Sequence, residues 1–259
     1  MNWGDLTDLA RLGVTLGAML VIGGLGIWLR FMRGYPTAGG LLLFVATAVL
    51  PLFIYTVARL LGAWPDEASF YDLRFVLLYL CSGSLAGALV ALILTRFYLI
   101  SLIVAAFVHL TTLDIAQIIK GKLTYVNELT ASICGGLILL GIVLTLWGRK
   151  PHAFWLKLYG LVGLQIAFTS LFFESDNVLF GLLFLLVYLI IVGLSLRFRE
   201  VLYLVSGAIG VYTYITRLVF DTFRDTAYFS LLLGLIGVSI VVLAVLYQRY
   251  GTRLFRRGA

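Results

Sequence analysis

The chain has 259 residues, is 62% hydrophobic and 12% charged, and carries a net charge of +7 with a mean hydropathy of +1.08. An ordinary soluble domain carries about 25% charged residues, and a soluble fold of this length cannot hide so much apolar surface, so the composition excludes a soluble globular protein in favour of an integral membrane one. The positive balance does not indicate nucleic acid: there is no compact basic run or aromatic–basic motif, and Lys and Arg in cytoplasmic loops account for the excess.

Residues 1–11, MNWGDLTDLAR, are read as an interfacial helix with Trp3, Leu6 and Leu9 on one side. A helix needs about 20 apolar residues to cross ~30 Å of hydrocarbon. Nine runs meet that requirement: 12–32, 38–62, 73–95, 98–119, 128–148, 153–173, 178–197, 201–220 and 227–248. The first is preceded by Asp5 and Asp8 and followed by Arg30 and Arg33, the pattern of a transmembrane helix with its basic end inside, not of a cleaved signal. The breaks between runs carry turn and charge signals such as RGYPT, AWPDEASFYDL, GRKPHAF, ESDN, RFRE and DTFRDT. Pro51 falls inside the second run and is expected to kink that helix. Residues 12–248 form a single transmembrane domain, and 249–259 form a basic cytoplasmic tail. Cys81 and Cys134 lie within apolar runs with no metal or redox spacing.

Charge asymmetry gives the orientation. Nine alternating passes put Arg30, Arg33, Arg96, Arg149, Lys150, Lys157, Arg197, Arg199, Arg249, Arg253, Arg256 and Arg257 on one face, with Glu200 as its one acid. The other face receives the remaining seven of the 19 basic residues and eleven of the 12 acids. Lys and Arg set orientation, so the first face is cytoplasmic, the N-terminus outside and the C-terminus inside. The expected fold is therefore an all-α integral membrane bundle of nine transmembrane helices.

The fourth run contains HLTTLDIAQIIKGK, residues 109–122, a polar cluster in an otherwise uncharged helix. At 1.5 Å per residue, His109 falls near the bilayer midplane and Asp114 roughly 7 Å below the outer boundary. With His109 at zero on a helical wheel, Thr112 lies near −60°, Gln117 near 80° and Asp114 near 140°, at about 100° per residue. These four must face protein or water, not lipid. An ionised group at that depth costs several kcal/mol unless paired, hydrated or protonated. Arg217 in the eighth run lies at similar depth and is the first candidate partner for Asp114. Arg59 is the second, and Glu128, Asp221 and Gln165 extend the network. The same residues serve equally as glue that fixes helix order.

Other features are structural in type. Gly13–Gly17 and Gly83–Gly87 have the small-xxx-small spacing of close helix contacts. Tyr212 and Tyr214 fit an aromatic belt as well as a pocket. Glu174 and Asp176 fit a solvated loop, as does His152. There is no Ser-His-Asp set, HExxH, Walker loop or dinucleotide fingerprint, so no catalytic motif, metal site or cofactor is expected.

The segments PTAGGLLLFVATAVLPLFIYTVARLLGAWP, HLTTLDI, HAFWLKLYGL and SGAIGVYTYITRLVFDTFRDTAYFSLLLGLIGVSIVVLAVLYQR resemble an uncharacterised multi-pass membrane family of bacteria, over about residues 36–250. The resemblance implies a multi-helix architecture and a bacterial inner membrane, and brings no established activity. Two functions stand at this point. One is a transporter or channel for a small solute or ion, with Asp114, Arg217, His109, Thr112 and Gln117 as its polar site. The other is a non-catalytic accessory or scaffold subunit of a membrane complex, in which those residues only hold helices together. The expected partners are the lipid bilayer and either another membrane protein or a second copy meeting through glycine-rich faces.

Overall fold

A computed structural model of the chain describes residues 6–64, 73–120, 125–175, 177–223, 234, 235, 237 and 238. All regular structure among them is helical: α1 (Asp8–Ile27), extended by a π-helical turn (Trp28–Met32), α2 (Pro36–Leu60), α3 (Leu73–Thr95), α4 (Ile100–Lys120), α5 (Val126–Leu146), α6 (Lys150–Glu174), α7 (Val178–Phe198) and α8 (Val201–Phe223). Each of these eight is long and apolar enough to cross a membrane. In lipid the backbone must satisfy its own hydrogen bonds, which is why such runs become helices. The ninth run, 227–248, lies outside the described residues except for 234, 235, 237 and 238, which are helical. Residues 1–5 of the N-terminal segment also lie outside them, and Asp8 to Arg11 form the first turn of α1 itself.

The helix ends follow local chemistry. Thr7 caps α1, its hydroxyl accepting from Ala10 N–H at 3.3 Å, and Asn177 caps α7, accepting from Leu179 N–H at 2.9 Å. Pro36 and Pro151 sit in first turns, where a missing N–H costs nothing. α2 continues through Pro51 as one unbroken helix. The α3–α4 and α7–α8 turns each place an arginine in the left-handed region, Arg96 at φ 50° and Arg199 at φ 55°.

The chain divides into two compact units, Met1–Gly160 and Leu161–Ala259, with α6 running from one into the other. In the first unit α1 packs on α2, α2 on α3, α3 on α4 and α4 on α5. The α1–α2 crossing is a backbone-to-backbone contact at Gly26 and Gly39. A Cβ on Gly39 would stand 2.6 Å from both Arg30 N and Gly26 O. Above it the Thr15 and Thr56 hydroxyls meet at 3.1 Å, and Asp8 bridges Arg11 at 3.1 Å and Arg59 at 3.5 Å. At the opposite end Arg30 donates to Pro36 O in the first turn of α2 (2.8 Å) and to Thr95 O, the last carbonyl of α3 (2.7 Å). Gly83 and Gly87 face Ile54 and Leu50 of α2, whereas Gly13 and Gly17 face open space. This is membrane-type packing, in which small residues bring backbones together.

In the second unit α7 packs on α8, with Gly207 and Gly210 set against Val192 and the buried ring of Tyr188. The C-terminal half of α6 adds Phe168 and Phe172, which stack on Phe184 at centroid distances of 5.4 and 4.3 Å. Around both units large apolar side chains point outward: Leu20, Ile93, Ile119 and Leu139 in the first, Ile166, Leu182 and Leu196 in the second. A water-facing surface does not carry this much exposed aliphatic area. The protein is a multi-pass α-helical membrane protein whose outer face contacts lipid.

Candidate functional site

The polar residues of α4 divide between two faces. On one, His109 is held at both ring nitrogens: Nδ1 lies 2.9 Å from Tyr159 Oη on α6, and Nε2 lies 3.1 Å from Thr130 Oγ1 on α5. An imidazole donates from one nitrogen and accepts at the other, and a hydroxyl serves either role, so the three groups satisfy one another. The His109 and Tyr159 rings meet edge-on at 5.9 Å. The same face carries a contact nearer the start of both helices, Ser101 Oγ to His152 Nδ1 at 2.8 Å. His152 therefore lies in the first turn of α6 and not in a loop. The side chain of Lys157, only 2% exposed, packs on Gly141 and donates from Nζ to Thr145 Oγ1 at 3.0 Å. Ala105, Leu137 and Leu156 fill the space between these polar contacts.

Asp114 points the other way, to α3. Its carboxyl faces the Cys81 thiol, which donates to it, while Oδ2 is buried with no hydrogen-bond partner among the described residues. Below this pair the α3–α4 contact is apolar: Ala88, Ile103 and Phe107, with Phe44, Leu85 and Val104 packed around them. Thr112 Oγ1 donates back to Val108 O at 2.7 Å, and Gln117 is buried. Glu128 is exposed in the first turn of α5, where a negative charge suits the helix dipole.

Arg217 belongs to the second unit and anchors it. Its Nη2 donates to Ser175 O at 2.9 Å, capping the end of α6 from α8, and its Nε lies 3.3 Å from Asp221 Oδ2. The guanidinium stacks over Phe172 at 4.5 Å and Phe173 at 5.7 Å. A cavity of about 140 Å³ opens here, lined by Phe172, Ser175, Asn177, Tyr214, Arg217 and Asp221 among others. Tyr214 thus lines the cavity, and Gln165 donates to Thr169 Oγ1 at 3.1 Å on the same helix. Arg59 reaches Asp8 on α1. Among the described residues no group of three His, Cys, Asp or Glu stands where it could hold a metal ion.

No family model, curated protein or solved structure matches the chain.

Tyr159, Thr130, Lys157 and Cys81 are absent from the sequence-based site. One signal was available for part of this. His152 and Tyr159 are seven apart on α6, and Ser101 and His109 are eight apart on α4, spacings that let two parallel helices present matched polar pairs. Cys81 had no such signal, since a cysteine in an apolar run packs as a small hydrophobe by default.

Proposed function

We propose that the protein is a transporter or channel for a small ion or solute, with Asp114 as its charged element. One observation carries this reading: the Asp114 carboxyl lies inside the α3–α4 contact with one oxygen buried and unpartnered. Carboxyls inside membrane helices are costly to keep and characteristically mark ion or proton pathways. His109, Thr112 and Gln117 support the wall of the path from α4, with His109 fixing α4 against α5 and α6. The N-terminus lies outside and the C-terminal tail in the cytoplasm, in a bundle of nine helices in a bacterial inner membrane. The chain belongs, on this reading, with the uncharacterised multi-pass bacterial proteins it resembles.

The accessory-subunit reading draws on a different observation, the mutual satisfaction of His109, Tyr159 and Thr130. That closed set looks like glue and not a relay. Reconstitution separates the two. In proteoliposomes carrying H⁺, Na⁺ or K⁺ gradients and matching reporter dyes, the wild type dissipates at least one gradient. Asp114→Asn lowers that flux by at least about tenfold, as expected when a site charge is removed from a low-dielectric path, while its thermal midpoint stays near that of the wild type. Equal flux from both proteins would remove Asp114 from any path.

A further inference from the structure

We infer that the α3–α4 contact holds a small monovalent cation of sodium type, bound by the Asp114 carboxylate with the hydroxyls of Ser84 and Thr111. This deepens the transport reading and rests on it for its purpose, though the binding itself is separately testable.

The register of the two helices places these groups together. Cys81 meets Asp114, and Ala88 packs with Ile103 and Phe107. The connection between α3 and α4 is a short turn, so the helices run antiparallel. Ser84 lies between Cys81 and Ala88 on one stripe of α3, at i+3 and i−4. Thr111 lies between Phe107 and Asp114 on the matching stripe of α4, at i+4 and i−3. Both hydroxyls therefore fall on the same contact, next to the carboxyl.

All three oxygens are orphaned. Ser84 Oγ, Thr111 Oγ1 and Asp114 Oδ2 are buried without a hydrogen-bond partner among the described residues, with Ser84 0% and Thr111 9% exposed. Other helical threonines of the chain bond their own backbone. Thr15, Thr47, Thr95, Thr112 and Thr145 each donate to the carbonyl one turn back, at 2.6 to 3.0 Å. A buried hydroxyl or carboxylate oxygen left with no partner at all is costly, and a cation in the contact would engage the lone pairs of all three.

The chemistry of the set favours a cation. Three hard oxygens, one of them anionic, suit an alkali ion; a divalent ion wants more carboxylates and more ligands. The Cys81 thiol donates to the carboxylate, so the oxygen left open is the one available to an ion. A bridging water would satisfy the hydroxyls but supply no counter-charge to an ionised carboxylate. The apolar layer of Ala88, Ile103 and Phe107 closes the contact below. Arg74, one heptad before Cys81 on α3, is the rival counter-charge.

Thermal unfolding of the full chain in mild detergent, followed by tryptophan fluorescence, tests this. NaCl is compared with KCl, MgCl₂ and choline chloride at equal ionic strength. Sodium at about a hundredfold excess over its Kd raises Tm by about 5 °C or more relative to choline. Asp114→Asn and the Ser84→Ala/Thr111→Val pair lose that rise while their midpoints in choline equal or exceed the wild type's, which shows that they fold. The inference is overturned if sodium and choline act alike, or if Asp114→Asn keeps the rise. It is also overturned if the rise emerges only in Arg74→Gln, which would make Arg74 the counter-ion of Asp114. Sodium stabilisation without flux keeps the site and removes the transport reading; flux without sodium stabilisation does the reverse.

Discussion

Gly39→Leu is expected to prevent the first unit from assembling. A Cβ at this position meets Arg30 N and Gly26 O at 2.6 Å, and both are backbone atoms of the neighbouring helix. A flexible side chain can swing aside, but a helix backbone moves only as a whole. Overpacking typically costs about 1–3 kcal/mol, and here the displaced element is α1 itself, so the loss lies at or above the top of that range. Shifting α1 also separates Thr15 from Thr56 and Asp8 from Arg59. Gly13→Leu is the control, because a Cβ there has nothing within 4 Å. Monodisperse yield and thermal midpoint in detergent measure the effect. The Gly39 variant aggregates or melts far below the wild type, and the Gly13 variant does not. A Gly39→Leu protein with unchanged midpoint would contradict the α1–α2 crossing described above.

His109→Ala should be the most damaging single change among the polar contacts of α4. It deletes two hydrogen bonds at once and strands Tyr159 Oη and Thr130 Oγ1 between three helices. Hydrogen bonds between membrane helices are individually modest, averaging about 0.6 kcal/mol. Leaving a buried hydroxyl unsatisfied costs about 1–3 kcal/mol; both partners here are only part-buried, so the lower half of that range applies to each and the total is roughly 2–4 kcal/mol. The thermal midpoint of the variant should fall by about 5–10 °C for a chain of this size. His109→Gln, which reaches one hydroxyl, recovers part of the loss, and Tyr159→Phe shows a smaller fall because it removes one bond. A His109→Ala protein as stable as the wild type would mean that the three-way contact contributes nothing.

The eight described spans were legible in the sequence because the bilayer sets a length requirement that few segments meet by chance. The boundaries differ where capping chemistry extends a helix beyond its apolar core. α1 begins at Asp8 because Thr7 caps it, and α6 begins at Lys150 because Pro151 is tolerated in a first turn. The site was legible only as a set of residues on one helix. The helical wheel puts about 140° between His109 and Asp114, enough to turn them toward different neighbours, and the sequence does not say which helix stands on which side. Tyr159 and Thr130 become partners of His109 only once α5 and α6 are placed beside α4. Ser84 and Thr111 were silent for another reason: a helical hydroxyl ordinarily bonds its own backbone, and these two do not.

The central claim is that water or an ion reaches the carboxyl of Asp114, and the chain carries its own reporter of this. Both thiols are buried: Cys81 faces that carboxyl, and Cys134 lies at the α5–α6 contact against Gly160. Sealed vesicles containing the native protein are treated with a small, membrane-impermeant methanethiosulfonate, and each thiol is read by peptide mass. Modification of Cys81 in the folded protein, with Cys134 untouched, is the expected result. If neither thiol reacts until the protein is denatured, the α3–α4 contact is dry, and the polar residues of α4 hold helices together without carrying anything across.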